Sequence, residues 1–445
     1  MSAARGSSCS IWDGSADVTQ ISSSVNTHSA RRMLFIGPVD AAGGVGGLHF
    51  ALRDLLDQLE AHGWQVDVIG GPLRASSGNS RPVSELRRVA SNSQLQIFQQ
   101  WQLWHRLWRS VPLHLRHQIS EYFMPVHVLE HASHNLAVIE RALAEAGRYD
   151  LVFMCVDGIA PGAVALAVDR HPRVALLSLD ALAVQLAQWP GLRWLTQRRS
   201  GQPLHPGLYA PVPIDRVRCA IFPSVAWQQD AVAAGLPASA TRVAYFGIPT
   251  PPGPGRPAGS RGRLLWVGRL AHEKGLHVFL EALPEIRRRM PEATLTVVAV
   301  PGSAPYRALI DKLIRRHQLA DVVRFEPPVP RDELARLYAT HDILLFHSKY
   351  AEPVALVMME AMAAGLPVVA PRSKGNALFI RHGETCLCYD PRNLGPLVTA
   401  VVRLHEDASL RQTLSARAQR LIHESYSREA MGRIYNQLLS ELLDG

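Results

Sequence analysis

Short apolar runs recur along the chain at intervals of one helix or one loop, and this spacing is its most informative pattern. The first, Arg32-Met33-Leu34-Phe35-Ile36-Gly37, reads as a strand covered on both faces, because such strands are continuously apolar rather than alternating. A glycine loop over 40–47 and a helical stretch to position 61 follow it. Further strand-like runs lie at 64–69, 151–156, 174–179, 220–223 and 243–246, with helical segments between most of them. Alternation of this kind predicts a parallel sheet with helices on both faces.

The run Pro249-Thr250-Pro251-Pro252-Gly253-Pro254-Gly255-Arg256-Pro257-Ala258-Gly259 interrupts the pattern. Proline removes backbone donors and glycine raises the cost of ordering, so neither helix nor strand is expected there. Beyond it the alternation restarts, with strands predicted at 264–267, 294–300, 322–325, 343–346 and 367–370. Helices are predicted from 275, over 306–317 and 332–340, and from Pro353. The division expected is a disordered leader at 1–31, an N-terminal domain at 32–249, a linker at 250–262, a C-terminal domain at 263–426, and a final helix at 427–445 returning to the N-terminal domain.

Length and composition agree with two cores. At 445 residues the chain exceeds the size at which one core is the usual solution, and 47% hydrophobic against 19% charged residues suits two buried sheets. The five cysteines, Cys9, Cys155, Cys219, Cys386 and Cys388, suggest neither a disulfide framework nor a zinc site, and reduced thiols in a cytoplasmic setting are expected. Cys386 and Cys388 are expected on opposite faces if 385–389 is a strand. No run of eighteen apolar residues occurs, so no membrane-spanning helix is expected. The net charge of +9 favours an anionic partner. Nucleic acid is not expected to be that partner, since no aromatic RNA-binding signature or zinc-finger spacing accompanies the charge.

Two motifs carry candidate chemistry. In Trp266-Val267-Gly268-Arg269-Leu270-Ala271-His272-Glu273-Lys274-Gly275 a strand ends in a turn holding two cations before a helix starts. Arg269 offers a planar fork of donors and Lys274 a compact charge, which together suit a diphosphate; a surface loop with two solvated cations is the bland alternative. In the second motif Glu352 and Glu360 stand eight positions apart, leading into Ala363-Ala364-Gly365-Leu366-Pro367-Val368-Val369-Ala370. A helix opening near Pro353 leaves its first amides free for phosphate or sugar oxygens, and Glu360 can accept hydrogen bonds from two ribose hydroxyls. The alternative there is a helix whose acids are merely solvated, which its apolar composition disfavours.

With Gly43-Gly44-Val45-Gly46 in the first loop, these runs make the chain resemble the family-4 retaining glycosyltransferases (group 1) over about residues 33–440. The resemblance implies the α/β GT-B fold, with two Rossmann-like doubly wound domains facing across a cleft, and transfer from a nucleotide-diphosphate sugar to a hydroxyl of a glycan or lipid-linked acceptor. It further implies that Arg269 and Lys274 bind the donor diphosphate and that Glu352 sits at the sugar ring. Glu360 would bind the ribose, the amides of Leu356 and Val357 would hold phosphate, and Gly44 and Gly46 would let the first loop approach the donor. Arg269, Lys274 and Glu352 are thus the implied catalytic residues. No cofactor and no metal are implied, in keeping with the absence of any Asp-x-Asp sequence. The chain departs from the family at Leu179, where a histidine is usual, at Phe246-Gly247 in place of Asn-Gly, and at Ala355 in place of glycine. Leucine cannot hydrogen-bond a sugar hydroxyl, so a sugar-nucleotide-binding protein with weakened turnover is one alternative and a nucleotide-sugar epimerase another.

Residues 81–120 hold six arginines against the single acid Glu85, and Ile97, Trp101, Trp104, Trp108 and Val111 share one helical face beside Arg106 and Arg109. Such a face suits the headgroup region of an anionic membrane, giving a cytoplasmic protein peripheral on the inner face of the plasma membrane. Packing of the three tryptophans inside the N-terminal domain is the alternative.

Overall fold

The protein is described by a computed structural model covering residues 31–37, 47–70, 126–156, 159, 161–178, 205, 207–208, 210–250, 261–302, 304–348, 355–372 and 379–444. It builds two six-stranded, wholly parallel sheets with helices on both faces, which is the GT-B architecture.

The N-terminal half contains β1 (Arg31–Ile36), α1 (Gly47–Ala61), β2 (Trp64–Ile69), α2 (Val126–Ala144), β3 (Leu151–Cys155) and α3 (Pro161–Arg170). It continues through β4 (Val174–Leu177), β5 (Cys219–Phe222), α4 (Val225–Ala233) and β6 (Thr241–Val243). The strand order is β2-β1-β3-β4-β5-β6. Because successive strand side chains point to opposite faces, Phe35 and Phe153 join one core with Leu52, Leu55 and Leu56 of α1, while Ile36 and Met154 join another with Leu136 and Ile139 of α2. The sequence placed the last strand at 243–246, but it pairs over Thr241–Val243. Ala244 and Phe246 are apolar because the helix at Arg428–Asp444 covers them, not because they belong to the sheet.

In the C-terminal half come β7 (Arg263–Arg269), α5 (Leu276–Arg289), β8 (Thr294–Val300), α6 (Ala304–Arg316), β9 (Val323–Glu326), α7 (Arg331–Thr340) and β10 (Ile343–Leu345). There follow α8 (Leu356–Ala363), β11 (Val368–Pro371), β12 (Leu387–Tyr389), α9 (Leu394–Glu406), α10 (Ala408–Ser425) and α11 (Arg428–Asp444). The order is β12-β11-β10-β7-β8-β9. Trp266, Val297 and Leu345 face a core with α5, α6 and α9; Leu265, Val298 and Leu344 face one with α8 and α10. Cys386 and Cys388 belong to this second core with their sulfurs 3.8 Å apart, correcting the expectation of opposite faces. Side chains alternate along a strand, so residues two apart share a face.

Two chain crossings lie side by side between the halves. Ile248 accepts from the Arg428 amide at 2.9 Å and donates to the Tyr426 carbonyl at 3.0 Å. Gly247 is required at this crossing, since a Cβ there would sit 2.2 Å from the Ser427 carbonyl oxygen. Beyond it α11 buries Met431, Tyr435 and Leu439 against the N-terminal sheet and α1. The Tyr435 hydroxyl donates to the Ala244 carbonyl at 3.0 Å.

Candidate functional site

In both sheets the order reverses once, between β1 and β3 in the N-terminal sheet and between β7 and β10 in the C-terminal one. Loops leaving the carboxyl ends of such strands diverge and open a crevice, the place where doubly wound sheets take ligands. The candidate residues lie at or after the carboxyl ends of these strands. In the sequence the glycine run follows β1; Arg269 is the last residue of β7 and Lys274 lies in the turn after it, and Leu356, Val357 and Glu360 belong to α8, the helix that follows β10. Glu352, Gly44 and Gly46 lie outside the described residues, as do Leu179 and the Trp101/Trp104/Trp108 stripe.

A close packing contact joins the loops after β7 and β10. After Arg269 the chain makes a single helical turn over His272–Lys274, and Gly275 adopts φ 65°, ψ 26° before α5 starts. This left-handed conformation favours glycine, and the space agrees, since a Cβ here would lie 2.1 Å from Cδ2 of His347, two residues past β10. His347 is itself held by a 2.8 Å hydrogen bond with the Tyr389 hydroxyl. The Trp266 indole, beneath the turn, donates to the Lys274 carbonyl at 3.3 Å.

The Arg269 guanidinium is oriented by Glu273, whose buried carboxylate accepts from it at 3.0 Å. One edge of the fork is engaged in this way, and the side chain remains 36% exposed. Glu273 reaches Arg269 from the single turn after the strand that Arg269 ends, so the pair is set by the path of the chain and no helical spacing in the sequence marked it.

Helix α8 opens at Leu356, not at Pro353, with Ala355 as the residue before the helix, buried and accepting from the Met358 and Met359 amides at 2.9 and 3.2 Å. Leu356 and Val357 therefore occupy the first turn, whose amides have no acceptor within the helix. Met358, Met359, Ala361, Met362 and Ala363 are all buried, which seats the helix firmly. At its far end the Gln419 side-chain amide donates to the Ala363 carbonyl at 2.8 Å.

Glu360 projects from this helix into a network that the motifs did not reveal. Its Oε1 accepts from Nε of Arg331 at 3.2 Å and its Oε2 from the Tyr338 hydroxyl at 3.2 Å. Arg331 reaches further with Nη1, 2.7 Å from Oδ2 of Asp54 on α1, and Arg428 meets the other oxygen of Asp54 at 3.2 Å. Burial pushes the Glu360 carboxyl above the usual 4.5, against the lowering pull of Arg331 and Tyr338 and with the help of Asp54. On Arg331 burial opposes the charge, but Glu360 and Asp54 outweigh it and raise its pKa. Among the described residues no group of acids, histidines and cysteines has the arrangement of a metal site, and no helix is long and apolar enough to cross a membrane.

This arrangement defines a two-sheet protein of GT-B type whose cationic turn follows β7 and whose α8 follows β10, the two strands at the switch point of the C-terminal sheet. Residues 256–421 match the family model for glycosyl transferases group 1. Glycogen synthase of Mycobacterium tuberculosis is 35% identical over 167 residues, 37% of this chain and 39% of the relative. The GDP-mannose-dependent alpha-(1-6)-phosphatidylinositol monomannoside mannosyltransferase of the same organism is 34% identical over 152 residues, 33% of this chain and 39% of that protein. The chain thus matches about two fifths of these relatives' length. Among solved structures, HepE of Anabaena in complex with UDP and glucose superimposes with a TM-score of 0.62 at 19% identity, covering 92% of this chain and all of that one.

Proposed function

We propose that the protein is a glycosyltransferase that moves a sugar from a nucleoside-diphosphate sugar to an acceptor hydroxyl with retention of the anomeric configuration. The observation that carries this reading is the close packing of Gly275, which ends the Arg269–Lys274 turn, on His347 in the segment after β10, at the switch point of the C-terminal sheet. In the reaction the bond between the sugar's anomeric carbon and the β-phosphate oxygen breaks, and the acceptor oxygen bonds to that carbon. The acceptor's proton passes to the departing phosphate. Charge therefore grows on the β-phosphate, and fixed cations and amides aimed at it lower the barrier. Arg269, Lys274 and the amides of Leu356 and Val357 are assigned that task, Glu360 the ribose hydroxyls, and Glu352 the sugar ring. Gly44 and Gly46 admit the backbone of the first loop to the donor.

The relatives do not agree on donor or acceptor. One is named for glycogen, another for GDP-mannose and a phosphatidylinositol mannoside, and the structural neighbour holds UDP and glucose. A lipid-linked acceptor at an anionic membrane is the proposal for this chain, resting on the tryptophan face at 101–108 and its flanking arginines. The test is incubation of the protein with UDP-, GDP- and ADP-sugars and membrane extract, followed by proton NMR of the released nucleotide and the product anomer. An α-donor should give an α-product. Binding without nucleotide release would favour the weakened sugar-nucleotide-binding alternative, and an altered sugar on intact nucleotide would favour the epimerase.

A further inference from the structure

The network around Glu360 couples a donor-site residue to the opposite half of the molecule. Arg331 and Tyr338 stand seven residues apart on α7, a two-turn spacing that puts both on one helix face. Each takes one oxygen of Glu360. A carboxylate has about four acceptor positions, so one on each oxygen remains for a further donor. Two hydroxyls on adjacent carbons, one for each oxygen, match that remainder. Arg331 cannot drift while it holds Glu360, because its other arm is fixed to Asp54, whose side chain is only 8% exposed and which Arg428 also engages. Asp54 lies two turns into α1, the helix that follows the glycine loop.

We propose that Arg331 is the positioning residue of the ribose subsite: it aims the Glu360 carboxylate at a vicinal diol and, through Asp54, ties that aim to the placement of α1. The proposal rests on the reading that Glu360 takes the ribose. Its chemistry is specific to arginine. The fork serves two carboxylates through two different nitrogens, whereas a lysine ammonium at the end of a flexible stem is a point charge without a rigid second arm.

The experiment uses the full chain and isothermal titration with UDP, GDP and ADP and their 2′-deoxy counterparts, read as the ratio of ribo to deoxyribo affinity. In the wild type the ratio should exceed one, and Glu360→Gln should bring it close to one. Arg331→Ala should lower it by about fivefold to tenfold, the range expected for misaligning one charge-assisted hydrogen bond, while deoxyribonucleotide affinity changes little. Arg331→Lys should recover only part of the ratio, and Asp54→Asn should lower it in the same direction. In the Glu360→Gln background Arg331→Ala should have no further effect on the ratio. Discrimination that is lost in Glu360→Gln but intact in Arg331→Ala and Arg331→Lys overturns the positioning role and leaves the ribose reading standing. A ratio that Glu360→Gln does not change removes the ribose reading itself, and the inference with it.

Discussion

Substituting Gly275 with alanine probes the junction on which the proposed donor site rests. The residue has φ 65°, and an L side chain in that region costs about 1–2 kcal/mol. The new methyl would also fall 2.1, 2.4 and 2.9 Å from Cδ2, Cγ and Cβ of His347. Relief by moving the imidazole is restricted, because it is 3% exposed, hydrogen-bonded to Tyr389, stacked on the Tyr389 ring and set edge-on to Phe279. Overpacking of a filled site adds about 1–3 kcal/mol. The expected loss of stability is therefore about 2–5 kcal/mol, which for a unit of roughly two hundred residues lowers Tm by about 5–15 °C. Backbone displacement at Gly275 also moves Lys274, so nucleoside-diphosphate affinity should fall more than tenfold in the protein that remains folded at 20 °C. Differential scanning calorimetry and isothermal titration read the two effects. A Tm within a degree of wild type together with unchanged affinity would refute both the strain argument and the placement of Lys274.

Three further outcomes are expected. Burial alone would raise the Asp342 carboxyl, but the Arg263 side chain and the amides of Arg263 and Arg261 overcome it and hold the group below its usual 3.8. Its stabilisation is present above 3.8 and lost as pH falls through the depressed value, so Asp342→Asn should cost about 3 kcal/mol at neutral pH and flatten the acid limb of a urea-midpoint against pH plot. The ribose role proposed for Glu360 calls for the carboxylate, which accepts hydroxyl protons far more strongly than the acid form, and burial has raised the group above 4.5 with Arg331, Tyr338 and Asp54 around it. Ribonucleotide affinity should therefore decline with acid from a pH above that value, and Glu360→Gln should remove the limb; a decline of equal shape in that variant contradicts the assignment. Trp104→Ser with Trp108→Ser should abolish salt-sensitive sedimentation with anionic vesicles and leave folding and donor binding intact, whereas loss of folded protein would put the tryptophans in the core.

The alternation of strands and helices was legible because both sheets are covered on two faces, which turns each strand into an apolar run. Boundaries failed where burial had another cause. Ala244 and Phe246 look like a strand because Tyr435, almost two hundred residues later, packs on that segment. The run after Pro353 read as helix from the proline onward, although α8 opens three residues later at Leu356. The candidate cations and Glu360 were visible because they sit within compact motifs. Arg331, Tyr338 and Asp54 were not, since α1, α7 and α8 converge only in three dimensions and an arginine or tyrosine on an amphipathic helix reads as ordinary surface. Cys386 and Cys388, two apart at β12, share a face and so meet in one core.

The Arg269–Lys274 loop is proposed to hold a nucleotide diphosphate. Titration of wild type, Arg269→Ala and Lys274→Ala with nucleoside diphosphates and with the matching nucleosides tests it most directly. Each variant should weaken diphosphate binding by at least about tenfold while nucleoside affinity stays within a factor of two, because only the phosphates lose a charged partner. Equal losses for nucleoside and diphosphate, or no loss for either, would contradict the account.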